Sequence, residues 1–204
     1  MPPDISADRM RIPILLFALL AALPGPLTAQ AGPPAPSADR VSATGGVLLK
    51  AGEIAGETRL HLGGWGGLML NRRLAVGGGG AALLNNLELA GSEGDSGFVL
   101  EFGYGGLFFR YWEPLSGTFT GEAGILLGAG HAEVRDELSR REVGSDNFLV
   151  GEGELGLVYT FLPRLHLGLS VGYRLTAGVE DLPRVSAGDL NTFTATLSLR
   201  AGGY

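Results

Sequence analysis

The sequence predicts an all-β fold, a closed antiparallel up-and-down transmembrane β-barrel of eight strands. Three observations carry this: apolar residues recur with period two, an export segment precedes them, and tight turns alternate with long loops between the segments. The clearest segment runs from Leu165 to Leu175. Leu165, Leu167, Leu169, Val171, Tyr173 and Leu175 alternate there with His166, Gly168, Ser170, Gly172 and Arg174. Successive strand side chains point to opposite faces, so this strand has one oily and one polar face. In a soluble sheet the oily face turns inward. Behind an export signal, and repeated over many strands, the expected arrangement is oil toward lipid and polarity toward a lumen.

Arg9 and Arg11 precede the apolar run Ile12–Leu23, which is followed by a Pro/Gly break and Ala29-Gln30-Ala31. A charged start, a short apolar stretch and a small-x-small site read as a secretory signal peptide over residues 1–31. The run is too short for a spanning helix, which needs about 20 apolar residues. Met10 also stands where such a signal would open. The remaining 173 residues are one domain's worth, and the removed segment holds as many bases as acids, so the net charge stays at −6. A mildly acidic exported chain without a basic cluster excludes nucleic acid as a partner. With 0 cysteines there is neither a disulfide framework nor an acylated cysteine. No pair among His61, His131 and His166 has metal-ligand spacing, so no metal or cofactor is expected.

Residues 32–43 form a Pro-rich lead, expected to be extended, poorly ordered and periplasmic. Eight strand segments follow, at about 45–55, 58–71, 74–85, 96–112, 118–134, 147–161, 164–177 and 191–201, within a barrel domain spanning 44–204. Asn71-Arg72-Arg73, Pro114-Leu115-Ser116-Gly117 and Leu162-Pro163 are the tight turns after segments two, four and six. Asn86–Asp95, Arg135–Asp146 and the stretch to Asn191 are the longer loops after segments three, five and seven. Only Gly56-Glu57, after the first segment, breaks the parity. Short turns on one side and long loops on the other are what an outer-membrane barrel shows.

Segment five sets Phe119, Ala123, Ile125 and Leu127 against Thr120, Glu122, Gly124 and Gly128. Segment six sets Leu155, Leu157, Tyr159 and Phe161 against Glu152, Glu154 and Thr160. Segment eight sets Phe193, Ala195, Leu197 and Leu199 against Thr192, Thr194, Thr196, Ser198 and Arg200. Segment two is less regular: Leu60, Leu62, Leu68 and Leu70 share a face, but Trp65 and Met69 fall on the other. Either a bulge at Gly63-Gly64 or Gly66-Gly67 switches faces, or Trp65 fills the interior. Turning the polar register inward collects Glu101, Glu122, Glu152 and Glu154 with Lys50, Arg59, Arg174 and Arg200. Eight strands enclose only enough room for side chains. Four acids against four bases therefore predict a paired network rather than a pore. The functional alternative is an ion path, or acid/base chemistry at Glu152 and Glu154. Phe108, Phe109, Tyr111, Trp112, Tyr159 and Phe161 crowd the tight-turn end, as an interfacial girdle would.

The export segment, the eight alternating strands and the run Phe102-Gly103-Tyr104-Gly105-Gly106-Leu107-Phe108-Phe109 together resemble the small eight-stranded outer-membrane barrels of Gram-negative bacteria. The stretch from Gly64-Trp65-Gly66-Gly67 through Gly77–Gly80 looks like a poorly characterised branch of that family. The resemblance covers about 45–204 and rests on pattern, not on a catalytic motif. It implies an outer-membrane location, outer-membrane lipid and lipopolysaccharide as surroundings, and a terminal aromatic, here Tyr204, read by the insertion machinery. Tyr204 falls in the polar-face register of its strand. Some such barrels modify lipid A acyl chains with histidine and serine, which implies a candidate base at His131 beside Ser139 or Ser145. Gly151-Glu152-Gly153-Glu154-Leu155-Gly156 has the G-x-G-x-x-G spacing, but the strand continues through Val158–Phe161 where a phosphate site needs a helix. The expectation is a monomeric, non-enzymatic envelope protein with structural or surface-interaction duty. A soluble lipocalin-like carrier is the third alternative. Acidic loop residues (Glu88, Glu93, Asp95, Asp136, Glu137, Glu142, Glu180, Asp181) are read as solvated, or as meeting divalent ions on lipopolysaccharide.

Overall fold

The structure is a computed structural model that describes residues 41–84, 87–89, 98–136, 141–180, 182 and 185–202. The signal peptide, lead residues 32–40, Ser139 and Tyr204 lie outside the described residues, as do the loop acids Glu93, Asp95, Glu137 and Asp181. In chain order the elements are β1 (Val41–Ile54), β2 (Glu57–Leu70), β3 (Leu74–Leu83), β4 (Leu87–Leu89), β5 (Phe98–Ser116), β6 (Phe119–Asp136), β7 (Glu142–Leu162), β8 (Leu165–Ala177), a one-turn helix α1 (Ala187–Leu190) and β9 (Thr192–Gly202). All pairings are antiparallel. β9 returns to β1, and β3 pairs with β5, which closes the ring. β4 pairs with the start of β5 and shares the position of β3, so the ring has eight staves.

Several boundaries differ from the sequence expectation. Val41–Ala43 belong to β1, paired with Leu70–Leu68, and not to the lead. β5 runs through Pro114 to Ser116, and the turn is Gly117-Thr118, with Gly117 at φ 48°. Pro114 is tolerated because the ladder slips between Pro114 and Ser116, where its missing N–H interrupts nothing. The charged stretch Arg135–Asp146 is mostly strand, with Asp136 ending β6 and Glu142 opening β7. These strands outrun the apolar band, and polar side chains can continue a ladder into water. β2 has no bulge. Its register with β1 and β3 is unbroken, and Trp65 and Met69 simply face inward.

The barrel is inside-out. Val47, Leu62, Leu107, Leu155 and Leu169 stand exposed on its wall, and Phe193 is 79% exposed. The inner register is packed by matching large residues to small ones across the ladder. On β5, Leu100, Phe102, Tyr104, Phe108 and Trp112 point inward. Their neighbours on β3 are small: Ala81 stands opposite Tyr104, Gly77 opposite Phe108 and Ala75 opposite Arg110. Trp65 lies edge-on to Phe108, with ring centroids 5.3 Å apart.

The two ends differ. Asn71–Arg73, Gly117-Thr118 and Pro163-Arg164 turn at one end. The other end carries Ala55-Gly56, a two-residue hairpin with φ of 50° and 82°, and the longer connections. In the described part of the β8–β9 connection, residues 178–180, 182 and 185–191, Leu182, Val185 and Leu190 are buried at that second mouth. The connection is fixed by the Ala55 N–H donating to the Asp189 carbonyl (3.1 Å) and the Thr176 N–H to Asn191 Oδ1 (2.6 Å).

Two glycines three residues apart on β7 test the inside-out packing. A Cβ at inward Gly156 would lie 2.6 Å from the Leu169 carbonyl oxygen, whereas one at outward Gly153 meets nothing within 4 Å. Gly156→Ala is expected to cost about 1–3 kcal/mol. Gly153→Ala should stay within about 1 kcal/mol of the parent. Thermal loss of the folded band on unboiled gels measures both.

Candidate functional site: the charged interior

The side chains with chemical potential converge inside the ring. Lys50, from β1, reaches Glu152 Oε1 at 2.6 Å and Glu154 Oε1 at 2.9 Å on β7, across the lumen. Its ammonium also donates to the Tyr104 hydroxyl (3.2 Å), which donates onward to Glu152 Oε2 (2.7 Å). From β9, Thr194 donates to Glu152 (3.0 Å) and Thr196 to Glu154 (3.2 Å). Arg110 of β5 donates to Glu154 Oε2 (3.0 Å) and lies 3.6 Å from Glu122 Oε2, linking the two halves of the network. At the turn side the Arg200 guanidinium grips Glu122 through both oxygens, the Nη2–Oε1 bond measuring 2.7 Å. Trp112 Nε1 adds a third donor to Glu122 at 3.0 Å, and Arg200 Nε donates to Ser198 (2.8 Å). Paired and hydrogen-bonded charge is the condition under which burial is tolerable.

Five of the eight residues expected in this network are joined in it: Lys50, Glu122, Glu152, Glu154 and Arg200. Three are not. Glu101 faces outward and pairs with Arg135 at 3.2 Å. Arg59 faces inward but sits at the loop-side rim, bonded to Glu57. Arg174 is inward and wholly buried yet meets no carboxylate among the described residues; its Nε donates to the Leu190 carbonyl (3.0 Å) and Nη1 contacts His61 Nε2 (3.5 Å). Arg110 and Tyr104, which the sequence reading left out, occupy the middle of the network. Their signal was the period: counting by two from Phe102 puts Tyr104, Phe108, Arg110 and Trp112 on one face. Placing Glu101 inward inverts that strand.

The alternation also divides the six residues expected in the aromatic girdle. Phe108 and Trp112 are buried in the lumen, where Trp112 caps Glu122. Phe109, Tyr111, Tyr159 and Phe161 are exposed on the outer wall toward the short turns. Tyr111 donates to Glu113 (2.6 Å), which accepts from Arg73 (2.8 Å) in the adjoining turn.

A cavity of about 20 Å³ remains beside Lys50, Trp65, Tyr104, Arg110, Glu152 and Glu154, room for about one water. The interior is filled, and the carboxylates Glu152 and Glu154 are each held by at least one cation. His131 lies outside, its Nδ1 3.0 Å from Asn147 Oδ1, while the Ser145 hydroxyl donates to Glu142 (2.6 Å). Among the described residues no serine is hydrogen-bonded to His131, and no His/Cys/Asp/Glu group is arranged to hold a metal ion. In the mouth, the Asp189 carboxyl is held below its ordinary value of 3.8, first by the Ser186 N–H and then by its hydroxyl. That contribution to the stability of α1 is present above the ordinary value and is lost as pH falls through the lowered one.

A closed eight-stave ring with an oily wall and a salt-bridged filling defines a class of small β-barrel. No protein-family model and no curated protein sequence matches the chain. Among solved structures, Neisserial surface protein A (NspA) is similar, with a TM-score of 0.56 at 13% identity over 82% of this chain and 99% of that one. Ail, the attachment invasion locus protein of Yersinia pestis, solved with the heparin analogue sucrose octasulfate, has a TM-score of 0.48 at 14% identity over 80% of this chain and 97% of that one. The outer membrane protein OprG of Pseudomonas aeruginosa gives 0.48 at 15% identity over 80% and 95%. The likeness to NspA shows the fold, the small eight-stranded barrel.

Removing an acid from this interior should cost more than removing a single donor. Glu122→Leu leaves Arg200 without its carboxylate and is expected to cost about 3–5 kcal/mol. Trp112→Phe loses one bond to a charged group, about 1.5–3 kcal/mol. Guanidinium unfolding of the micelle-refolded protein, followed by circular dichroism, ranks the two.

Proposed function

We propose that the chain is a non-enzymatic outer-membrane barrel with an envelope-structural or surface-interaction role, exported by its N-terminal signal and acting as a monomer in outer-membrane lipid and lipopolysaccharide. The supporting observation is the outward apolar band. On β6 it runs from Phe119 through Ile125 and Leu127 to Ala129 and stops at His131; on β8 it runs from Leu167 to Leu175. Such stretches match the roughly 9–11 tilted residues that cross a bilayer. At about 3.3 Å per residue they make a band about 25 Å tall. Its rims are polar: Arg73 and Glu113 at the turn end, Glu101, Glu133 and Arg135 at the loop end. Phe109, Tyr111, Tyr159 and Phe161 fit the periplasmic interface, and Tyr204 is the proposed signal for the insertion machinery.

A filled lumen argues against conduction, and Ser145, one of the two serines considered as partners of His131, is committed to Glu142. An envelope role is therefore favoured over lipid A modification. Fractionation of the native host tests this reading. The protein should co-sediment with outer membrane and run faster unboiled than boiled on a denaturing gel; recovery as soluble periplasmic protein refutes it. If deletion of the chain changes the lipid A mass spectrum, the enzyme reading replaces it.

A further inference from the structure

The outer wall is not evenly filled. On β7 the outward positions run Asn147, Leu149, Gly151, Gly153 and Leu155, so two successive rungs carry no side chain. Their ladder neighbours are tall. Leu127 and Leu175 flank Gly151, Ile125 and Tyr173 flank Gly153, and all four stand exposed. The result is a furrow along β7, one side chain deep and closed at its foot by Leu155. Its floor is open: a Cβ at Gly153 would meet nothing within 4 Å, and one at Gly151 only Leu127, at an ordinary 3.7 Å. The loop-side part measures about 360 Å³ between Leu127, Leu149, Gly151, Leu175 and Ala177, within the range of ligand clefts.

A polar pair stands at the loop-side head of the furrow. Leu149 is flanked by Ala129 and Ala177, which are too short to close the way past it. One rung further, His131 and Asn147 face each other across the ladder, with His131 Nδ1 3.0 Å from Asn147 Oδ1. An amide oxygen only accepts, so Nδ1 carries the proton and Nε2 of the neutral ring is an acceptor. Among the described residues Nε2 and Asn147 Nδ2 have no partner, which leaves one acceptor and one donor on the same pair. The neighbouring cation, Arg135, is held by Glu133 and Glu101. The head of the furrow therefore suits a neutral hydroxyl and a carbonyl, not a phosphate. We propose that the furrow holds one acyl chain of lipopolysaccharide, His131 Nε2 accepting from its 3-hydroxyl and Asn147 Nδ2 donating to its amide or ester carbonyl. This rests on the reading above, that the wall lies in the outer membrane with the loop end outward. Acyl chains are what reach a lateral furrow there, and a 3-hydroxyacyl chain supplies both groups that the pair lacks. A glycerophospholipid chain offers the carbonyl without the hydroxyl.

The test uses the full chain refolded in detergent micelles, with lipid A or phosphatidylglycerol added and native mass spectrometry as the readout. The parent should retain one lipid A and release phosphatidylglycerol at the same concentration. Gly151→Leu and Gly153→Leu each fill the furrow from positions where a Cβ meets no obstacle. Both should weaken lipid A retention about tenfold or more, and His131→Ala about tenfold, the equivalent of one lost hydrogen bond. Gly78→Leu, which adds the same side chain to the exposed wall of β3, should bind as the parent does. Equal retention by the parent and a folded furrow-filling variant, or equal retention of phosphatidylglycerol, overturns the proposal. Gel mobility of the same samples separates it from the reading beneath it. A faster unboiled band without lipid A retention removes the furrow site and leaves the barrel in place, whereas loss of that band removes both.

Discussion

Closure of the sheet is the constraint on which everything else depends. Pairing of β3 with β5, and of β9 with β1, leaves no stave with a free edge along the wall. Each stave satisfies its backbone groups on both sides, which is the requirement for strands surrounded by hydrocarbon. Closure also turns the period-two alternation into a division of space, one set of side chains forming the wall and the other confined to a narrow lumen.

Confinement explains the composition of the inner register. Eight staves leave no room for a large side chain on every strand. Bulk is therefore concentrated on β5, which supplies Phe102, Tyr104, Phe108 and Trp112, while β3 contributes Ala75, Gly77, Gly79 and Ala81. The polar groups obey the same economy of space. Lys50 serves two carboxylates, Tyr104 both accepts from Lys50 and donates to Glu152, and Glu122 collects Arg200 and Trp112. The aromatic rings hold the guanidinium planes as well: Arg110 lies 4.9 Å from the Trp65 ring centroid.

The two ends of the lumen are finished differently. At the turn end the Glu122–Arg200 pair and Trp112 form a plug of strand side chains. At the loop end the chain itself folds back, with Leu190 and Val185 buried and the Leu190 carbonyl resting on Arg174. The interior is thus least self-sufficient where the cover is a connection between strands.

Alternation is a local property, and so the sequence alone determined the strand order, the eight segments, the end-to-end asymmetry and the inward placement of Lys50, Glu122, Glu152, Glu154, Arg174 and Arg200. On β5 the charge of Glu101 and the crowding of aromatics at Phe108–Trp112 are poor guides to the inner face, which Phe102, Tyr104, Phe108, Arg110 and Trp112 share. A charge beyond the apolar band carries no information about which face is inside. Partner choice was decided by the tertiary structure. Arg200 meets Glu122 across 78 residues and Lys50 meets Glu152 across 102, contacts set by how the staves are staggered around the ring. Four acids against four bases in the polar register predict an acid for Arg174. Only the closed ring shows that Glu101 lies outside it and that, among the described residues, Arg174 meets a backbone carbonyl and His61 in place of an acid.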